Sequence, residues 1–301
     1  MIMSRSERSP SARTPLLTCG CLVAGVVLAG CSSVFEGDQG TDGGGPSSTG
    51  YEHATGAQDV LVSIDVTGGY VPLEYNLRDT ADFLLLGDGT VIVRGVSIEI
   101  YPGPALNPLQ TTTIGEDQIQ ELLAAADGAG LLDAEIDYGQ PSVTDMPDTT
   151  VTITVDGATS SHTAYALGFD DSASLGLSES EIAARAALQD FLESAQALAG
   201  ADNESYVPTE LLAFRLSPEA APAPEERDLV QEPMPWPIAT VPPPVADGEV
   251  SSCVQISGQE AVDLLAALEV ANELTPWLIG TEPPARMAFR PLLPGDPGCP
   301  G

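Results

Sequence analysis

The sequence predicts an α+β fold: antiparallel sheet with amphipathic helices packed on one face, a proline-rich connection, and a disordered N-terminal tether. Three observations predict it. Short alternating segments come in pairs around Asp-Gly turns. Single amphipathic helices, each opened by a capping signal, separate those pairs. A Gly/Ser-rich stretch with nothing to pack precedes them all.

Asp59 to Val66 alternates apolar and polar residues and reads as a strand. Asp82 to Leu86 and Thr90 to Arg94 flank Gly87-Asp88-Gly89, a hairpin with Asp-Gly in its turn. Thr113 and Glu116 stand at capping-box spacing before a helix with Ile119, Leu122, Leu123 and Ala126 on one stripe, and Gly128 and Gly130 end it. Thr150 to Val155 puts Val151, Ile153 and Val155 on one face, and Asp156-Gly157 turns the chain into Ser161 to Leu167. A second helix starts at Ser178, with Glu181 completing its box, and runs to about Ala199. Its inward stripe is Leu188, Phe191, Leu192, Ala195 and Leu198.

Glu210 to Leu216 reads as a strand, and residues 217–249 are proline-rich, which makes an extended connection. Ser257 and Glu260 then cap a third helix carrying Ala261, Leu264, Leu265, Leu268 and Ala271, and Arg286 to Leu293 is a last strand. Ala213-Phe214-Arg215 recurs as Ala288-Phe289-Arg290, a short hint that the two strands lie side by side. The expected division is a signal peptide over 1–30 and a lipidated cysteine with its tether over 31–57. An α+β domain follows over 58–202, then a C-terminal α+β segment over 203–301. The alternative is that the C-terminal part completes the first sheet.

The N-terminus carries the most specific signal. Residues 1–15 are polar with net positive charge, and Leu16 to Gly30 is apolar and too short to span a bilayer as a helix. That run ends Leu28-Ala29-Gly30-Cys31. It resembles the lipobox of bacterial lipoproteins. The resemblance implies cleavage between Gly30 and Cys31, and lipidation of the Cys31 thiol by a diacylglyceryl group. Two acyl chains would give stable anchoring. The implied address is the extracytoplasmic face of the cell membrane. Residues 37–50 would be the spacer that stands the body off.

Of five cysteines, Cys19 and Cys21 would leave with the signal peptide and Cys31 would be lipidated. Cys253 and Cys299 remain, an even pair in an oxidising compartment, so a disulfide is expected. Two separate buried thiols are the alternative.

The chain has 44 acidic and 10 basic residues, a formal charge of -34, and all ten basic residues are arginine. Such a surface repels nucleic acid and anionic headgroups, so no nucleic-acid partner is expected. Without lysine there is no P-loop lysine, no Schiff-base lysine and no Ser-x-x-Lys nucleophile pair. Two histidines, His53 and His162, are too few for a closed zinc site of the usual kind. Gly176-Leu177-Ser178-Glu179-Ser180 lacks the closing glycine of a nucleophile elbow, and Ser178 is better explained as a cap. The acidic pairs Asp133/Asp137, Asp145/Asp148 and Asp170/Asp171 could serve a glycosidase or calcium, but 44 acids generate such pairs without purpose. No catalytic residue, metal ligand or cofactor is therefore assigned. Trp236 and Trp277 sit beside prolines and are expected to fasten the proline-rich segment to the domain it crosses, or to anchor a ligand.

Over residues 58–168 the body loosely resembles small secreted bacterial domains of unknown function. Phe83, Leu85, Asp88, Gly89 and Thr90 match the hairpin of those domains, and Asp148 to Ile153 matches a segment before a paired strand. The resemblance implies a fold and no chemistry. The expected function is a membrane-anchored lipoprotein with a non-catalytic binding or structural body, its partner an envelope component or another exported protein. A lipid or small-ligand carrier and a carboxylate-based envelope hydrolase are the alternatives.

Overall fold

The structure is a computed structural model, and it describes residues 50–97, 100–133, 135–169, 176–200, 203–218 and 229–299. Gly30 and Cys31 and the rest of the signal segment and tether to Thr49 lie outside the described residues, as do Asp170 and Asp171 and part of the proline-rich connection. The described residues cluster as one compact unit.

A seven-stranded antiparallel sheet carries the first half. Its strands are β1 (Val60–Gly68), β2 (Phe83–Leu86), β3 (Thr90–Arg94), β4 (Leu109–Thr113), β5 (Pro147–Val155), β6 (Ala158–Tyr165) and β7 (Glu204–Ser205), in the spatial order β6-β5-β1-β2-β3-β4-β7. The short helix α1 (Leu73–Arg78) joins β1 to β2. Two long helices, α2 (Glu116–Gly128) and α3 (Glu179–Leu198), cover one face, as the apolar stripes require. Phe83, Leu85, Val151 and Ile153 meet Leu123, Leu188 and Phe191 there, each at most 2% exposed. A break in register between Val60 and Val62 lets both Leu61 and Val62 enter this core, while Ser63 and Asp65 go to the opposite face.

The opposite face is divided. Under β2, β3 and β4 it is apolar, with Leu84, Leu86, Ile92 and Leu109 covered by Leu293 from the C-terminal tail. Burial on both sides explains why β2 reads Phe-Leu-Leu-Leu without alternation. Under β1, β5 and β6 the same face is hydroxylated and open, with Thr150, Thr152 and Thr154 opposite Thr163, Ser161 and Thr159.

The second half builds a three-stranded antiparallel sheet from β8 (Glu210–Leu216), β10 (Ser251–Ser257) and β12 (Met287–Pro291), with β8 in the centre. Helix α4 (Gly258–Leu268) packs on one face against Leu211, Ala213 and Phe289. The repeated tripeptide lies in adjacent strands, with Ala288 opposite Phe214 and Phe289 opposite Ala213. A two-residue parallel pair, β9 (Met234–Pro235) and β11 (Trp277–Leu278), holds the described end of the proline-rich segment. Trp236 stands edge-on to Trp277 at 5.6 Å and stacks on Phe289 at 6.2 Å, and its Nε1 donates to the Thr240 carbonyl at 2.9 Å. The tryptophans thus fasten that segment to the sheet.

Two capping expectations need correction. Thr113 is the last residue of β4, and α2 begins after Gly115, whose N–H donates to the Gln118 side chain at 3.2 Å. Strand pairing of β4 with β3 claims Thr113, because Thr90 and Thr113 are register partners. Ser257 is the N-cap of α4 but makes no side-chain cap bond. Glu260 instead accepts from the Ala239 and Thr240 N–H groups, so it grips the proline-rich segment. The Ser178 box stands as expected, with Glu181 N–H donating to Ser178 Oγ and Ser178 N–H to the Glu181 carboxylate.

The strap of residues 51–54 lies along α2. Tyr51 and Gln120 exchange two backbone-to-side-chain bonds, at 2.8 and 2.9 Å. His53 bonds the Ala54 carbonyl through Nδ1 and Glu116 through Nε2, at 2.8 and 3.1 Å. Burial works to lower the His53 pKa, but the Ala54 carbonyl and Glu116 outweigh it and hold it above 6.5. The stability this bond contributes is therefore complete below about pH 6.5 and is lost as pH rises through the raised folded value. A proton NMR titration should place the His53 midpoint above 6.5, and Glu116→Gln should bring it down. A midpoint at or below 6.5 in the unsubstituted chain would contradict the assignment.

Candidate functional site

A cleft of about 490 Å³ lies where the open half of the large sheet meets the C-terminal tail. Its floor is made by β1 and β5: alternation aims Ser63, Asp65 and Thr67 away from the helices, and register sets Ser63 against Thr152 and Asp65 against Thr150. One side is the end of α1 and the chain leaving it, with Asn76, Asp79 and Thr80. The other wall is the tail from Leu293 to Pro297.

The tail wall is held by charge and close approach. Arg290 on β12 donates to both oxygens of Asp296, at 2.7 and 3.0 Å, and lies over the Phe214 ring. Gly295 has φ of +81°, and a Cβ there would meet Val60 Cγ2 at 2.9 Å, so the tail sits against β1 only because this residue has no side chain. Beyond the wall, the sulfurs of Cys253 and Cys299 lie 2.00 Å apart, which brings the expected pair together.

Behind the floor, Arg94 bonds Asp79 and the Thr80 carbonyl, and its Nε lies 2.9 Å from Asp82. Burial raises the pKa of both aspartates, opposed by Arg94; Asp65 adds to the rise at both, and Asp79 adds to it at Asp82. Asp82 also accepts the Val66 N–H at 2.9 Å. One guanidinium thus serves two carboxylates. Ser63 donates to Asp65 at 2.6 Å.

The remaining sequence candidates fall elsewhere. His162 is 4% exposed, with Nε2 at 3.0 Å from the Leu131 carbonyl and its ring edge-on to Tyr138. It is a packed residue of the edge strand, and it borders a second hollow of about 370 Å³. Asp137 accepts the Gly139 N–H two residues on, and Asp145 accepts the hydroxyl of its neighbour Thr144, so both bonds are local. Among the described residues no group of three or more His, Cys, Asp or Glu side chains could hold a metal ion. Arg185 is buried, has no carboxylate partner among the described residues, and donates to the Tyr138, Tyr165 and Ala166 carbonyls, which pins α3 to the sheet. Asp65, Asp79, Asn76 and Thr152 were not singled out from sequence. The alternating hydroxyls on either side of Asp156-Gly157 carried a signal for the floor, whereas the tail wall had none.

No family model, no curated protein and no solved structure matches the chain. No described helix is long and apolar enough to cross a membrane.

Proposed function

We propose that this protein is an extracytoplasmic lipoprotein, anchored at Cys31 to the outer face of the cell membrane, whose body binds a ligand in the cleft without chemically changing it. The carrying observation is the run Leu28-Ala29-Gly30-Cys31 at the end of an apolar segment with positive charge before it. Cys253 and Cys299 at disulfide distance support an oxidising compartment. Ser63, Asp65, Thr67, Thr152 and Thr154, set beside Val60 and Leu84 in the cleft, speak against a carrier of a wholly apolar ligand. Asp79 and Asp296 are each held by an arginine, which speaks for binding rather than for a carboxylate-pair hydrolase.

Metabolic labelling with a fatty acid, with intact mass of the membrane-associated protein, tests the anchor. Label and membrane retention are expected for the natural sequence and loss of both for Cys31→Ala. An unlabelled protein that retains its full N-terminus, or that is released in soluble form, would overturn the reading.

A further inference from the structure

The ligand of this cleft can be narrowed by what its surfaces offer. Three observations carry the argument.

The first is the hydroxyl platform. The face of β1, β5 and β6 that leads out of the cleft carries cross-strand hydroxyl pairs in successive rows: Thr150 with Thr163 at 3.0 Å, Thr152 with Ser161 at 3.2 Å, Thr154 with Thr159 at 3.0 Å. Rows recur every second residue, about 7 Å apart along the strands. A hydroxyl donates once and accepts twice, so each pair keeps hydrogen-bonding capacity toward a ligand. Thr152 and Thr154 belong both to this platform and to the cleft, so the track is continuous.

The second is charge. Arg290, the one arginine lining the cleft among the described residues, is committed to Asp296, Arg94 behind the floor is committed to Asp79 and Asp82, and Asp65 lies on the floor. Among the described residues, an anionic ligand in the cleft would meet Asp65 and no arginine that is not already paired with a carboxylate. The third is shape. Leu293, Pro294 and Pro297 give the tail wall an apolar surface, continued by Val60 and Leu84, opposite the hydroxyls and Asp65 of the floor. A ligand seated here presents hydroxyls to one side and carbon–hydrogen faces to the other. A long polar track further favours a ligand that is itself extended.

We propose that the cleft and the hydroxyl-lined face it opens onto bind a neutral glycan strand, one end against Leu293–Pro297 and the rest across β5 and β6. Hydroxyls of the glycan donate to Asp65 and exchange bonds with the threonine rows, and the tail wall packs on a sugar face. This rests on the reading of the body as a binding module and names the ligand class of the same cleft.

The test is calorimetric titration of the full chain, kept soluble in a non-glycosidic detergent, with cellohexaose, maltohexaose and chitohexaose. Glucose and an anionic oligogalacturonate serve as contrasts, and spermidine as a cationic probe. Saturable binding is expected for at least one neutral hexasaccharide, about tenfold or more tighter than for glucose, with none for the oligogalacturonate. Thr152→Val should weaken it about fivefold, the effect of one neutral hydrogen bond, and Asp65→Asn by more. Ser161→Ala should also weaken the hexasaccharide, because it removes one hydroxyl of the track. Thermal midpoints check that these surface variants fold. Binding of spermidine that Asp65→Asn abolishes, with no hexasaccharide binding, would overturn the glycan inference and keep the cleft as a binding site. Binding of none of the probes by a folded chain would overturn both. Hexasaccharide binding untouched by Thr152→Val and Ser161→Ala would also overturn the proposed location.

Discussion

Replacing Trp277 with alanine should destabilise the protein by about 4 kcal/mol, the usual cost of emptying a large aromatic site. Trp277 is 1% exposed and contacts Trp236 edge-on at 5.6 Å and Phe289 at 5.7 Å. Its backbone also joins β11 to β9 and exchanges two bonds with Ala285, at 2.8 and 2.9 Å. The backbone bonds survive the substitution, but the aromatic contacts and much of the cover over Phe289 do not. Urea unfolding followed by circular dichroism would read the shift in midpoint. The chain has only two tryptophans, so the variant leaves Trp236 as the sole indole reporter. Its emission should move to the red as Trp236 loses its partner. A midpoint within experimental scatter of the unsubstituted chain would show that this cluster does not hold the second sheet together.

Loss of the Cys253–Cys299 link should cost about as much. The cysteines are 46 residues apart, and closing a loop of that size stabilises by about 4 kcal/mol in the chain-entropy account. Cys253→Ala and Cys299→Ala should have similar effects. The double variant should be little worse than either, because both substitutions delete the same bond. Dithiothreitol should reproduce the loss in the unsubstituted chain. The tail that forms the cleft wall lies between Arg290 and Cys299, so this link closes one end of it. Hydrogen exchange should therefore quicken first at residues 293–298, although Arg290 and Asp296 still hold that wall at its middle. Additive single effects, or no loss on reduction, would contradict the assignment.

Local signals found most of the large sheet. The Asp88-Gly89 and Asp156-Gly157 turns lie where alternation breaks, and Asp156 and Gly157 both have positive φ, as a tight hairpin turn requires. The stripes of α2 and α3 point into the core as spaced, with Leu123, Leu188 and Ala195 fully buried. The Ser178 box works because both of its bonds join residues three apart in the chain. Elements with weak local pattern were missed. Helix α1 spans six residues, fewer than two turns, and periodicity cannot register over so short a run. Strand β10 reads Ser-Ser-Cys-Val-Gln-Ile-Ser, with one fully buried residue, and is a strand because β8 pairs with it along its whole length. Thr113 and Glu260 show competition directly: each fits a cap by spacing, and each has a distant partner that the spacing does not reveal.

The sequence alone determined the α+β class, the hairpins and the two long helices, because each rests on interactions among residues close along the chain. The tertiary structure decided the cleft. Ser63 and Thr152 are neighbours only through strand register, Gly295 touches Val60 only after the tail returns across the sheet, and Arg290 reaches Asp296 only once β12 has paired with β8. Such contacts depend on which surfaces meet. Meeting is settled by burial summed over the whole chain, a quantity that no short window of sequence contains.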